Sequence, residues 1–81
     1  SEPEGNVVKS PLVGTYYAKP APDKPDFVAV GQTVKKGDTL FIVESMKLMN
    51  EIQSEFSGTV REILVKNGQA VEFGQPILTI E

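Results

Sequence analysis

Cysteine and histidine are both absent from the 81 residues. Without cysteine no disulfide can brace the chain, and no thiolate can act as nucleophile or metal ligand. That absence also fits a reducing compartment. Without histidine the commonest general base and the commonest metal ligand are missing. Aromatics make up only 7%, and 8 basic residues face 11 acidic ones for a net charge of -3. The basic residues are scattered, which argues against a nucleic-acid-binding face. No apolar run approaches the ~20 residues of a membrane span, and no signal or transit segment is visible, so no membrane partner is expected. The first residue is not methionine, and Ser1-Glu2-Pro3-Glu4-Gly5 reads as the remnant of a linker, residues 1–5. Residues 6–81 then form one domain. At this size a single core is marginal, so reinforcement must come from regular, well-paired structure.

What is present is punctuation. Turn signals recur at Pro11, Gly14, Gly31, Gly37, Gly58, Asn67-Gly68, Gly74 and Pro76, with short runs rich in Val, Ile, Thr, Phe and Tyr between them. That pattern predicts an all-β sandwich or barrel. No stretch carries a clean apolar period near 3.6. Residues 44–55 come nearest, and their β-rich neighbours favour strand there.

The chain also repeats itself. Residues 31–44 align with residues 68–81, an offset of 37, and residues 6–15 align with residues 50–59, an offset of 44. Ser10/Ser54, Gly14/Gly58, Thr15/Thr59, Gly31/Gly68, Gly37/Gly74 and Glu44/Glu81 coincide. Two collinear blocks with matching glycines predict halves related by a pseudo-two-fold, hence a flattened β-barrel or sandwich of about eight short strands. Repeated apolar pairs should build the core: Val8 with Ile52, Leu12 with Phe56, Val28 with Val65, Val34 with Val71, and Leu40 with Ile77.

Two segments fall outside the repeat. The offsets differ by seven residues, which places an insertion near residues 18–25. Ala18, Lys19, Pro20, Ala21, Pro22, Asp23 and Lys24 lead to Pro25, and three prolines make this a stiff protrusion rather than a strand. On composition alone it also fits a tolerated surface loop. The other segment is the junction, Glu44-Ser45-Met46-Lys47-Leu48-Met49. With strands expected over residues 39–44 and 50–54, Lys47 should crown a hairpin. Its counterpart under the repeat is the gap between Glu81 and Asn6, so it should lie at the far end from the chain termini. Tight hairpins prefer Asn-Gly or Asp-Gly, and Met46-Lys47 disobeys. Rule-breaking sites tend to be functional. The alternative is that Met46, Leu48 and Met49 fill the core around an ordinary charged lysine.

Glu44-Ser45-Met46-Lys47-Leu48-Met49 resembles the attachment motif of biotinyl domains, in which a lysine stands between hydrophobic residues, usually methionines. The likeness extends over most of residues 8–81, including the Gly31-Gln32 turn before the motif and Ser57-Gly58-Thr59-Val60 after it. Ser45 stands where Ala is usual and Leu48 where Met is usual. The proline-rich insertion resembles the "thumb" of the biotin carriers of multisubunit acetyl-CoA carboxylases, which most other biotinyl domains and the lipoyl domains lack.

This resemblance implies a non-catalytic carrier with biotin on Lys47 as an amide. Met46 and Leu48 would flank the cofactor, and Glu44, Met46 and Leu48 would be read by a biotin protein ligase. It implies biotin carboxylase and carboxyltransferase as partners, malonyl-CoA from acetyl-CoA as the product, a role in fatty acid synthesis, and bacterial cytoplasm or plastid stroma as the location. Chemistry agrees that Lys47 needs an enzyme: an ordinary lysine, with pKa near ~10.4, is almost wholly protonated at neutral pH. A lipoyl carrier shares the fold and the tip lysine, but usually has Asp before the lysine and Ala after it. The biotinyl domain of another biotin-dependent carboxylase is the second alternative.

Overall fold

The computed structural model describes residues 5–81. All of the expected linker remnant except Gly5 lies outside the described residues. Eight strands follow in order: β1 (Asn6–Lys9), β2 (Gly14–Tyr17), β3 (Thr33–Val34), β4 (Thr39–Ser45), β5 (Leu48–Gln53), β6 (Gly58–Ile63), β7 (Ala70–Val71) and β8 (Pro76–Ile80). They form two antiparallel four-stranded sheets, ordered β1-β8-β6-β3 and β5-β4-β2-β7. The sandwich alternative is therefore realised: each sheet keeps its own edges, and no barrel closes.

The pseudo-two-fold is visible in the pairing. Replacing β1, β2, β3 and β4 by β5, β6, β7 and β8, and the reverse, turns one sheet order into the other. The same hydrogen bonds recur in both halves. Ser10 Oγ donates to the Leu12 carbonyl at 2.6 Å, and Ser54 Oγ to that of Phe56 at 2.6 Å. The Gly74 N–H reaches the Ser10 carbonyl at 2.8 Å, and that of Gly37 reaches Ser54 at 2.8 Å. These buried serines are kept because each satisfies a turn that the sheets would leave unpaired. Gly14 and Gly58 also share one reason. A Cβ at Gly14 would overlap the Glu44 carbonyl oxygen, and one at Gly58 that of Glu81.

The predicted core assembles as paired. Val34, Val71, Leu40 and Ile77 are fully enclosed, Val8, Val28 and Val65 nearly so, and Leu12, Ile52 and Phe56 pack against them from the rim. Tyr16 lies against Phe41, ring centroids 5.4 Å apart. Burial, with the charge of Asp26 as a smaller cause, pushes its phenol up to about 12. Thr79 on β8 is an exception to this apolar interior: it is 0% exposed and its Oγ1 has no partner among the described residues. The repeat sets Ile42 at the equivalent place.

The ends of the domain follow from the hydrogen bonds. Glu81 exchanges backbone bonds with Thr59 at 2.9 and 3.0 Å, and Gly58 pairs with Val34. Val34 leads through one turn into Thr39, the start of β4. The C-terminus therefore sits at the Thr39 end of β4, and Asn6, paired with Ile80, lies beside it. Lys47 follows the opposite end of β4, whose 7 residues span about 20 Å.

Candidate functional site

Strands β4 and β5 stay paired to the last residue, with Ser45 opposite Leu48. Met46 and Lys47 alone make the loop. The strands are thus longer than the sequence suggests: β4 reaches Ser45 instead of Glu44, and β5 begins at Leu48 instead of Asn50. A two-residue connection whose twist matches the sheet needs positive φ at both positions. Met46 (φ 53°) and Lys47 (φ 66°) supply it, and they are the only described non-glycine residues in the left-handed region. That conformation crowds Cβ against the backbone, at roughly 1–2 kcal/mol per residue.

The apex is bare. Met46 is 91% exposed and Leu48 67%, and Lys47 is exposed between them. This excludes the reading in which the methionines and Leu48 fill the core. Among the described residues no carboxylate pairs with the Lys47 ammonium. Asn50 secures the hairpin just below, its Nδ2 donating to the Val43 carbonyl at 3.1 Å and to that of Leu48 at 3.3 Å.

Glu44 faces away from the core and accepts a hydrogen bond from the Tyr17 hydroxyl at 3.1 Å. That bond, then the carboxylate charge, raises the Tyr17 phenol above its ordinary value. Composition alone did not reveal this link between the motif and the root of the insertion. The insertion itself, residues 18–25, contains no strand. Its base is closed by the Phe27 N–H on the Ala18 carbonyl at 2.9 Å, and is tied to the second half by the Ala18 N–H on Asn67 Oδ1 at 2.8 Å. Lys19 lies 3.7 Å from Asp26 across the base. The loop folds over the outer face of its sheet and leaves an open groove of about 370 Å³ between residues 19–22 and Tyr17, Met49 and Asn67. Met49, on the strand leaving the apex, thus faces the insertion. Ala18, Lys19, Pro20, Ala21 and Pro22 border or root the groove, whereas Asp23 and Lys24 are exposed on its outer bend.

The site can present one primary amine, clear of the body, with apolar side chains beside it and a half-apolar groove within the same face. It contains no histidine and no cysteine. No group of three or more Asp or Glu residues among the described residues could hold a metal ion.

A family model described as "Biotin-requiring enzyme", of the biotin/lipoyl type, matches residues 6–80. The chain is 62% identical over 76 residues to the biotin carboxyl carrier protein of acetyl-CoA carboxylase from Pseudomonas aeruginosa, covering 94% of this chain and 49% of that protein. It is 49% identical over 75 residues to the chloroplastic biotin carboxyl carrier protein of acetyl-CoA carboxylase 1 from Arabidopsis thaliana, covering 93% of this chain and 27% of that one. The chain spans about half the length of the bacterial relative. Among solved structures, the urea carboxylase of Kluyveromyces lactis superposes with a TM-score of 0.78 at 31% identity, over 100% of this chain and 6% of that enzyme. The chain belongs to the biotin/lipoyl family of biotin-requiring enzymes.

Proposed function

We propose that this chain is the carrier domain of an acetyl-CoA carboxylase and holds biotin through an amide on Lys47. One observation carries the reading: the lysine of the resembling motif is the apex of a two-residue loop, remote from the termini that would join a longer protein. A biotin protein ligase installs the group. The ε-amine attacks the acyl carbon of biotinyl-AMP, the amide forms, the bond to AMP breaks and the amine gives up a proton. The modification removes one positive charge. Biotin then supplies a ureido ring that accepts and returns a carboxyl group.

The chain's own residues do the placing. The tight loop keeps the lysine clear of the body, so its stem has full reach. Met46 and Leu48 offer adaptable apolar contact on either side of it. Glu44, oriented by Tyr17, adds a carboxylate that a ligase can read together with Met46 and Leu48. The groove beneath residues 19–22 is large enough for a small bicyclic ring, with Met49 and Tyr17 as its apolar walls. Biotin carboxylase and carboxyltransferase are the two partners, and a tether at the opposite end lets the domain visit both. The location is bacterial cytoplasm or plastid stroma, and the product malonyl-CoA serves fatty acid synthesis.

Incubation with biotin, ATP and a biotin protein ligase, followed by intact mass and streptavidin blotting, tests the reading. The chain should gain one biotinyl group, and Lys47→Arg none while keeping its thermal midpoint. Modification by a lipoyl ligase in place of the biotin ligase would overturn it. Deleting residues 19–24 should leave ligation intact and slow carboxylase turnover; unchanged turnover would remove the role given to the thumb.

A further inference from the structure

The internal two-fold provides a control within one molecule: each turn at the Lys47 end has a counterpart at the tether end. The turn at residues 72–75 is bonded to Ser10, and the turn at residues 35–38 is bonded in the same way to Ser54. Phe73 therefore corresponds to Lys36, and Val13 to Ser57. At the tether end these places are polar, and the Lys36 N–H donates to Ser57 Oγ at 3.0 Å. At the Lys47 end they are apolar and bare, with Phe73 74% exposed and Val13 58%. The fold accepts polar residues there, so folding does not require the exposed aromatic ring.

Both residues lie at the Lys47 end of the sheet, Val13 just before the strand that neighbours β4 and Phe73 after the next one. Gly14 pairs with Val71 and packs against the Glu44 carbonyl, so Val13 stands level with the hairpin loop and Phe73 beyond it. Leu48, Met46, Val13 and Phe73 thus follow the strand order β5-β4-β2-β7 across about 14 Å. Exposed apolar patches of this kind mark recognition surfaces.

We propose that Val13 and Phe73 extend the site into a docking surface for the ligase that modifies Lys47. The inference rests on the reading of Lys47 given above. Reach selects the occupant. An enzyme that acts on the lysine nitrogen must bring its own surface against the residues around the apex. Enzymes that act on the attached ring work at the end of a longer arm and can stand further off. An aromatic anchor beside the acceptor lets the ligase recognise the folded domain, where a three-residue motif could not.

The test exchanges the two ends. Val13→Ser with Phe73→Lys installs the residues that the same turns carry at the tether end. Steady-state biotinylation by a biotin protein ligase, with biotin and ATP, should lose about tenfold or more in kcat/KM, mainly through KM. The thermal midpoint should match the wild type. Lys36→Phe with Ser57→Val, at the tether end, should be ligated at the wild-type rate. Wild-type kinetics for the Val13/Phe73 variant would overturn the proposal. So would normal ligation combined with slower carboxylation of the biotinylated variant, which would assign the patch to the carboxylase. If the wild-type chain itself takes no biotin at Lys47, it is the underlying reading that fails.

Discussion

The left-handed backbone at the apex gives a stability prediction that runs against function. Met46 and Lys47 each hold positive φ without being glycine or asparagine. Met46→Asn with Lys47→Gly supplies the pair that such a loop prefers. Relief should be about 1–2 kcal/mol at each position. Part of it is returned, because glycine loosens the unfolded chain by about 0.5–1 kcal/mol. Little contact energy is lost, since Met46 is 91% exposed. The net gain should be about 1–3 kcal/mol, which for a domain of this size raises Tm by at least about 4 °C. Thermal unfolding by circular dichroism reads it, with urea midpoints as a check and Lys47→Arg as the control that keeps the strain. The double variant should be more stable and incapable of biotinylation. A Tm at or below that of the wild type would refute the claim that the apex is strained.

Three further outcomes follow from other parts of the sandwich. Thr79→Val removes a buried hydroxyl that has no partner and keeps the shape, so it should stabilise by about 1 kcal/mol; a lower urea midpoint would count against this. Gly14→Ala should cost about 1–3 kcal/mol, because the new methyl meets the Glu44 carbonyl and the Val43 side chain in the middle of a sheet. Gly58→Ala, whose methyl would meet the Glu81 carbonyl and the buried Ile80 side chain, should cost a similar amount; denaturation curves of the two variants compare them. Glu44→Gln should bring the Tyr17 phenol back toward its ordinary value of 10.0 by removing both the charge and the carboxylate acceptor. The buried Tyr16 should stay near about 12. An ultraviolet titration that showed Tyr17 unmoved would separate it from Glu44.

Much of this architecture was legible because the chain states it twice. Coincident glycines and serines predicted the paired turns, and the repeated apolar positions predicted the core from Val8 to Ile77. Lys47 stood out because Met46-Lys47 violates the rule that Asn67-Gly68 obeys. The hairpin boundaries were not legible: exposed Leu48 and Met49 carry no alternation that would mark them as strand, and only their pairing with Ser45 and Glu44 does so. Sandwich and barrel could not be separated, since edge pairing is a non-local property. Phe73 carries no mark of its own in the sequence, although the repeat aligns it with Lys36. The contrast acquires meaning only once the two turns are known to lie at opposite ends. The Tyr17–Glu44 and Ala18–Asn67 bonds join residues 27 and 49 positions apart, beyond the reach of local pattern.

The exchange of sheets by the pseudo-two-fold bears on how such a molecule can be rewired. Ile80 and Asn6 are as closely coupled at one pole as Ser45 and Leu48 are at the other. In the backbone, what separates the Lys47 pole from the terminal pole is only where the polypeptide is cut. Splicing the present ends through a short lysine-bearing turn and opening the chain at residues 46–47 would reverse the polarity of the particle with every strand left where it is.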